Sequence, residues 1–282
     1  MRVHWTVFED GDAHVEGQIF EPESQTAKVI LFCPGFPGMG AVHFEQRHVA
    51  TLVQEGYAVV VLRHCGTRLD SPSAPAMVNN GARLRHARQH QQIHLGGAPS
   101  SVEYWLSEPL IALKTLTNVY EDIYVFGNSF GALSSLWSLT DPDAPLEKIR
   151  HLILVAGAQG VMTDDPETDI MRIWKAEFMT APRITDKVSF LSVEQDIETL
   201  RYAYQQLPER AVKLPAVMAL SYIVVTQDEI LKPGDADRFK AAIGGRGQIV
   251  HDDLDKPYYD HGLMAHDMPD YPTENFLTLL GK

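Results

Sequence analysis

The sequence is short of cysteine and of positive charge and has no long apolar run, and each shortage closes off a class of protein. Only two cysteines occur in 282 residues. Cys33 and Cys65 are too few for a disulfide framework and too far apart for a Cys-x-x-Cys site. Each lies in or beside an apolar stretch, which reads as a buried structural thiol. Lys and Arg total 24 against 37 Asp and Glu, a formal net charge of -13. Most of such a surface repels phosphates, which argues against nucleic acid or an anionic membrane as a general partner. No stretch approaches the roughly 18 uninterrupted apolar residues of a membrane span, and Met1-Arg2-Val3-His4-Trp5 does not open a secretory leader. The expectation is a cytoplasmic protein without a membrane span. Repeats and low-complexity segments are missing too.

What is present is the composition of a folded chain, 45% hydrophobic and 22% charged, long enough for one large domain or a core with a small lid. The first twenty residues alternate, with Val3, Trp5 and Val7 on one parity, a Gly11-Asp12 turn, then Val15 and Ile19, predicting a hairpin of half-buried strands. Lys28 to Cys33 is a continuous apolar run, as for a strand buried on both faces of a parallel sheet. An amphipathic stretch from Val42 to Gln54 follows, with Gly56 as its stop, then a strand over Tyr57 to Leu62. Helices are predicted over Val102 to Leu116, Ala132 to Leu139, Asp235 to Ile243 and Thr273 to Leu280. Strands are predicted over Ile123 to Phe126, His151 to Ala156, Ser221 to Val225 and Gln248 to Val250. This alternation implies an α/β domain with a mostly parallel sheet flanked by helices.

Two stretches interrupt the rhythm. Residues 67–101 hold Pro72, Pro75, Pro99 and a His- and Arg-rich middle. Residues 161–214 form a helical excursion longer than an ordinary connection, with an apolar stripe at Ile170, Met171, Ile173, Trp174 and Phe178. The expected organisation is a core of 1–160 and 215–282, with 161–214 as a helical lid and 67–101 as an additional insertion, both over one sheet edge.

The chemistry centres on Gly127-Asn128-Ser129-Phe130-Gly131, a G-x-S-x-G pattern set between an apolar strand and a helical pattern. A sharp strand-to-helix turn strains the serine, and the small residues two before and two after let the chain pass close by. The helix N-terminus then faces the reacting group, where free N–H groups favour a developing oxyanion.

With that motif the chain resembles the α/β-hydrolase superfamily over nearly its whole length from Lys28 onward. The resemblance implies an oxyanion loop at Pro34-Gly35-Phe36-Pro37-Gly38, where Pro34 replaces the histidine many members carry. It implies the N–H groups of Phe36 and Phe130 as oxyanion-hole donors, because Pro37 has none. The family order of serine, acid, histidine makes Asp228 the candidate acid, at the end of Tyr222 to Gln227, with Glu229 and Asp235 as competitors. His261, in Tyr259-Asp260-His261-Gly262, is the candidate base, with His266 as the alternative, while His251 belongs to the last strand. The implied activity is a serine hydrolase cleaving a carboxylic ester or thioester through an acyl-enzyme on Ser129, without metal or cofactor. Acyl transfer or amide cleavage on the same triad, or a cofactor-free lyase or oxygenase using the histidine, are the alternatives. A binding protein on this scaffold is a further one.

Other features carry less. His86, His90 and His94 recur at helical spacing, but no carboxylate accompanies them and Arg83, Arg85 and Arg88 repel a cation. Those arginines would instead attract an anionic or carrier-linked acyl substrate, such as CoA or a phosphopantetheine arm. His64-Cys65-Gly66 stands where many members carry an Asp-x-Arg-Gly turn, a departure read as structural.

Overall fold

The computed structural model describes residues 1–37, 44–67, 99–157, 171, 174–185, 188–225, 228, 234–252 and 273–281. Eight strands form one sheet: β1 (Arg2–Asp10), β2 (Ala13–Glu21), β3 (Lys28–Cys33), β4 (Ala58–Arg63), β5 (Asp122–Asn128), β6 (Ile149–Val155), β7 (Ala219–Val225) and β8 (Gln248–Asp252). Their spatial order is β1-β2-β4-β3-β5-β6-β7-β8. The β1–β2 and β2–β4 pairs are antiparallel, and every other pair is parallel. The hairpin closes over Gly11, whose φ of 62° suits a residue without Cβ.

The α-helices of five residues or more are α1 (Ala50–Gln54), preceded by a π-helical turn at Glu45–Val49, then α2 (Val102–Leu116) and α3 (Phe130–Leu139). They continue with α4 (Val193–Ala211), α5 (Gly234–Ala242) and α6 (Thr273–Leu279). Side chains alternate across the sheet, so its two faces feed two cores. Val29, Leu31, Val60, Leu62, Val125 and Leu152 pack with α2, α3 and α4. Ile30, Phe32, Val59, Val61, Phe126 and Ile153 pack on the other face with Phe44, Leu52 and Phe276.

The predicted helix over 42–54 is split. Its described part is the π-helical turn plus α1, and residues 41–43 lie outside the described residues. Other elements fall within a few residues of expectation. Of the two long insertions, most of 67–101 lies outside the described residues. The described part of 161–214 includes α4, which buries Leu200, Ala203, Tyr204 and Leu207 in the same core as α2 and α3. The two insertions meet where Ser100 bridges to Phe190 and exchanges backbone hydrogen bonds with Ser189 and Leu191. Asp196 of α4 then caps α2 by accepting from the Val102 N–H at 2.8 Å.

Pro109 sits inside α2 and has no N–H to offer the preceding turn. Beside this gap the Ser138 hydroxyl of α3 inserts into the ladder, donating to the Leu106 carbonyl at 2.8 Å and accepting from the Leu110 N–H at 3.2 Å. Ser138 thus bridges backbone groups on either side of Pro109 and ties α3 to α2 at this turn.

On the opposite face His48 is buried and meets Thr273 Oγ1 of α6 through Nδ1 at 2.9 Å. Burial, assisted by the Arg47 charge, lowers its pKa from the usual 6.5 to about 4. The unfolded chain therefore takes up a proton below about pH 6.5 that the folded chain refuses until about pH 4. This contribution to stability is present above the window and lost as pH falls through it, by about 3 kcal/mol in all. Urea unfolding of wild type and His48→Gln between pH 7 and pH 4 should show a shallower fall in the variant. Parallel curves would refute it.

Candidate active site

The site begins where β5 ends. Ser129 has φ 53° and ψ -118°, between the last strand residue and the first residue of α3. A side chain in that region carries strain on the order of 1–3 kcal/mol and persists only where its surroundings hold it. Here they do. The Ser129 N–H donates to the Val155 carbonyl of β6 at 2.8 Å, and its carbonyl accepts from the Ala132 N–H at 3.0 Å.

Glycines make this packing possible. A Cβ on Gly127 would lie 2.4 Å from the Gly131 carbonyl oxygen, and one on Gly157 would lie 2.1 Å from that of Ser129. A Cβ on Gly131 would meet the Cys33 oxygen at 1.9 Å and the Pro34 oxygen at 2.7 Å. The start of α3 is therefore pressed against the loop that leaves β3. That follows from sheet order, since β3 is the neighbour of β5 and pairs Cys33 with Gly127.

The two expected oxyanion-hole residues share one aromatic environment. Phe36, which precedes a cis peptide bond to Pro37, packs on Trp105, Trp174 and Phe190 with ring centroids 5.4, 4.8 and 5.6 Å away. Phe130 packs on Trp105 and Trp174 at 6.0 and 5.7 Å. Trp174 comes from the second insertion, so part of the expected apolar stripe reaches this edge.

Asp228 is half-buried and follows β7. Because β5, β6 and β7 run parallel, Ser129 and Asp228 lie off the same edge of the sheet. Asp235 is buried at the start of α5 and pairs with Arg238. His251 is exposed on the edge strand β8. His261, His266 and Glu229 lie outside the described residues, as do His86, His90, His94 and the arginines among them. Among the described residues there is no group of three or more His, Cys, Asp and Glu able to hold a metal, and no helix long and apolar enough to cross a membrane.

Beneath the elbow, Cys33 is wholly buried and its thiol is pushed up to about 12, chiefly by burial, against a Ser135 hydrogen bond. It stays protonated at neutral pH and is no nucleophile. Cys65 is half-buried in the turn after β4.

One residue of this neighbourhood escapes the sequence reading altogether. Glu108 is buried on α2 and lies 2.6 Å through Oε2 from His64 Nδ1. Burial raises its pKa, opposed by His64 and by the Cys65 N–H. The signal was available in its helical position, since Glu108 shares a face with Trp105 and Ala112, both fully buried.

No protein-family model matches the sequence, and no curated protein matches it. Solved structures do match, across nearly the whole chain. Est1E from Butyrivibrio proteoclasticus is 15% identical with a TM-score of 0.60, covering 99% of this chain and 100% of that one. A structure from work on carboxylesterases of the thaumarchaeon Nitrososphaera gargenis is 11% identical with a TM-score of 0.57, over 98% and 97%. The thioesterase domain from the curacin biosynthetic pathway is 14% identical with a TM-score of 0.56, over 99% and 100%. Strand order, a strained serine between β5 and α3, and these likenesses lead to one assignment: the chain has the α/β-hydrolase fold.

Proposed function

We propose that the protein is a serine hydrolase that cleaves a carboxylic ester or thioester of a small acyl substrate through an acyl-enzyme on Ser129. The observation that carries this is the Ser129 backbone, held at φ 53° at the mouth of a helix and against the loop after β3. Strain of this kind is retained where it serves a site. The shared fold of a structure reported with carboxylesterases and of a thioesterase domain supports the choice of substrate class.

Ser129 Oγ attacks the acyl carbonyl while His261 takes its proton. Asp228 orients the ring and stabilises the imidazolium, and His261 returns the proton to the leaving alcohol or thiol. Water repeats the sequence to free the acid. The Phe36 and Phe130 N–H groups bind the oxyanion, each worth about 3 kcal/mol in such sites. The cap expected over 161–214 brings Trp174 to this edge, while its helix α4 packs into the core with α2 and α3.

A fluorophosphonate probe, read by intact mass and peptide mapping, tests the reading. One adduct on Ser129 of wild type, lost in Ser129→Ala and in His261→Ala, is expected. Folded wild type that takes up no probe and cleaves no ester or thioester would sink it.

A further inference from the structure

His64 and Glu108 form a pair outside the proposed triad, 2% and 1% exposed. A buried carboxylate is costly unless its oxygens are satisfied, and here both are. Oε2 faces His64 Nδ1 at 2.6 Å, and Oε1 accepts from the Cys65 N–H at 2.6 Å. Trp105 ties the same turn by donating from Nε1 to the Cys65 carbonyl at 2.9 Å. The His64 ring stacks on Trp105, centroids 4.3 Å apart and planes 11° apart. Its position is therefore set on one side by a carboxylate and on its face by an indole.

The free end of that ring points at the loop after β3. His64 Nε2 lies 3.2 Å from the Pro34 carbonyl oxygen and 3.2 Å from that of Gly35. Carbonyl oxygens only accept, so Nε2 carries a hydrogen, and the remaining proton lies between Nδ1 and Oε2. The Gly35 carbonyl and the Phe36 N–H belong to one peptide group. That group is planar and, unlike the Phe36–Pro37 bond, trans, so its oxygen and hydrogen point in opposite directions. Whatever grips the Gly35 oxygen thereby aims the Phe36 N–H. Gly35 lacks the Cβ that would otherwise restrict rotation of this peptide.

We propose that His64, held by Glu108, is a positioning residue of the hydrolytic site: its Nε2–H locks the Gly35 carbonyl and so aims the Phe36 N–H at the oxyanion. This rests on the Ser129 hydrolase reading. His64 touches neither substrate nor the reacting atoms, and acts through the loop. Its loss therefore weakens binding of the transition state more than binding of the ester, which is a fall in kcat at nearly constant KM.

The test uses p-nitrophenyl butyrate as the ester. His64→Phe keeps a ring over Trp105 and removes both nitrogens. Its kcat is expected to fall about 30- to 100-fold with KM within about threefold, a share of what a lost oxyanion donor costs. Glu108→Leu should behave alike. Glu108→Gln should restore most of the rate, because Oε1 still accepts from the Cys65 N–H while Nε2 donates to His64 Nδ1. His64→Phe/Glu108→Gln, which leaves no unpaired buried charge, keeps the low kcat if the first variant fails to fold. A folded His64→Phe with kcat within about threefold of wild type would overturn the proposal. So would a loss carried by KM, a Glu108→Gln no better than Glu108→Leu, or failure of both His64 variants to fold, which would make the pair purely structural. Wild type that neither labels on Ser129 nor turns over the ester overturns the hydrolase reading itself, a separate result.

Discussion

Ser129→Gly is expected to abolish ester hydrolysis while making the protein more stable. Removing the hydroxyl removes the proposed nucleophile, and such losses lower kcat by at least about 10⁴-fold. The stability effect has a different origin. At φ 53° and ψ -118° the Ser129 Cβ is strained by roughly 1–3 kcal/mol, and glycine adopts such angles freely. Glycine also gives the unfolded chain extra freedom, offsetting about 0.5–1 kcal/mol of that gain. The net expectation is a rise of about 1 kcal/mol in unfolding free energy. Ser129→Ala is the control, since it keeps the Cβ and should lose activity without the gain. Urea unfolding of the three proteins beside their rates with p-nitrophenyl butyrate measures both effects. Equal stability of the glycine and alanine variants would show that the elbow stores no strain.

Gly131→Ala is expected to do the reverse, damaging fold and rate together. Its new methyl would stand 1.9 Å from the Cys33 oxygen, 2.5 Å from the Cys33 carbonyl carbon and 2.7 Å from the Pro34 oxygen. All are backbone atoms, so no side chain can swing aside. Either α3 retreats from β3 or the Pro34 to Pro37 loop is displaced. The first opens the core around Ala132 and Leu133, and the second moves the Phe36 N–H. A loss of about 3 kcal/mol or more in stability and of about 100-fold in kcat should follow. Gly234→Ala serves as the contrast, because there the nearest atom is the tip of Arg238 at 3.7 Å. Its stability should stay within about 0.5 kcal/mol of wild type. If Gly131→Ala matches it, the close approach at the elbow is not a constraint.

Much of the core was legible because its signals are local. Val29 to Cys33 is apolar without interruption, and it is buried on both faces. The G-x-S-x-G pattern carried its own context, a strand before and a helix after, and the serine stands in the strained turn that context demands. Burial of Cys33 was equally readable from the strand around it. Glu45 to Val49 was not read as a π-helical turn, since amphipathic spacing does not distinguish that geometry from an α-helix over so short a stretch.

The site was legible only where chain-local geometry builds it. Asp228 and His261 rest on order along the chain, which puts an acid just after β7 but fixes no contact between side chains. The His64–Glu108 pair was missed for a related reason. The residues stand 44 positions apart, and a glutamate on a helix is ordinarily solvated. Only the register of Glu108 with Trp105 and Ala112 on one face of the helix betrayed it.

The stitching of Ser100 to Ser189 and Leu191, together with the Asp196 cap on α2, has a mechanical consequence. The stretch from Ser189 to Ala211 is bolted to the helix that carries Trp105 and Glu108, so it belongs to the chassis. Moving α4 away from α2 would have to break these bonds first, so the two helices travel as one piece.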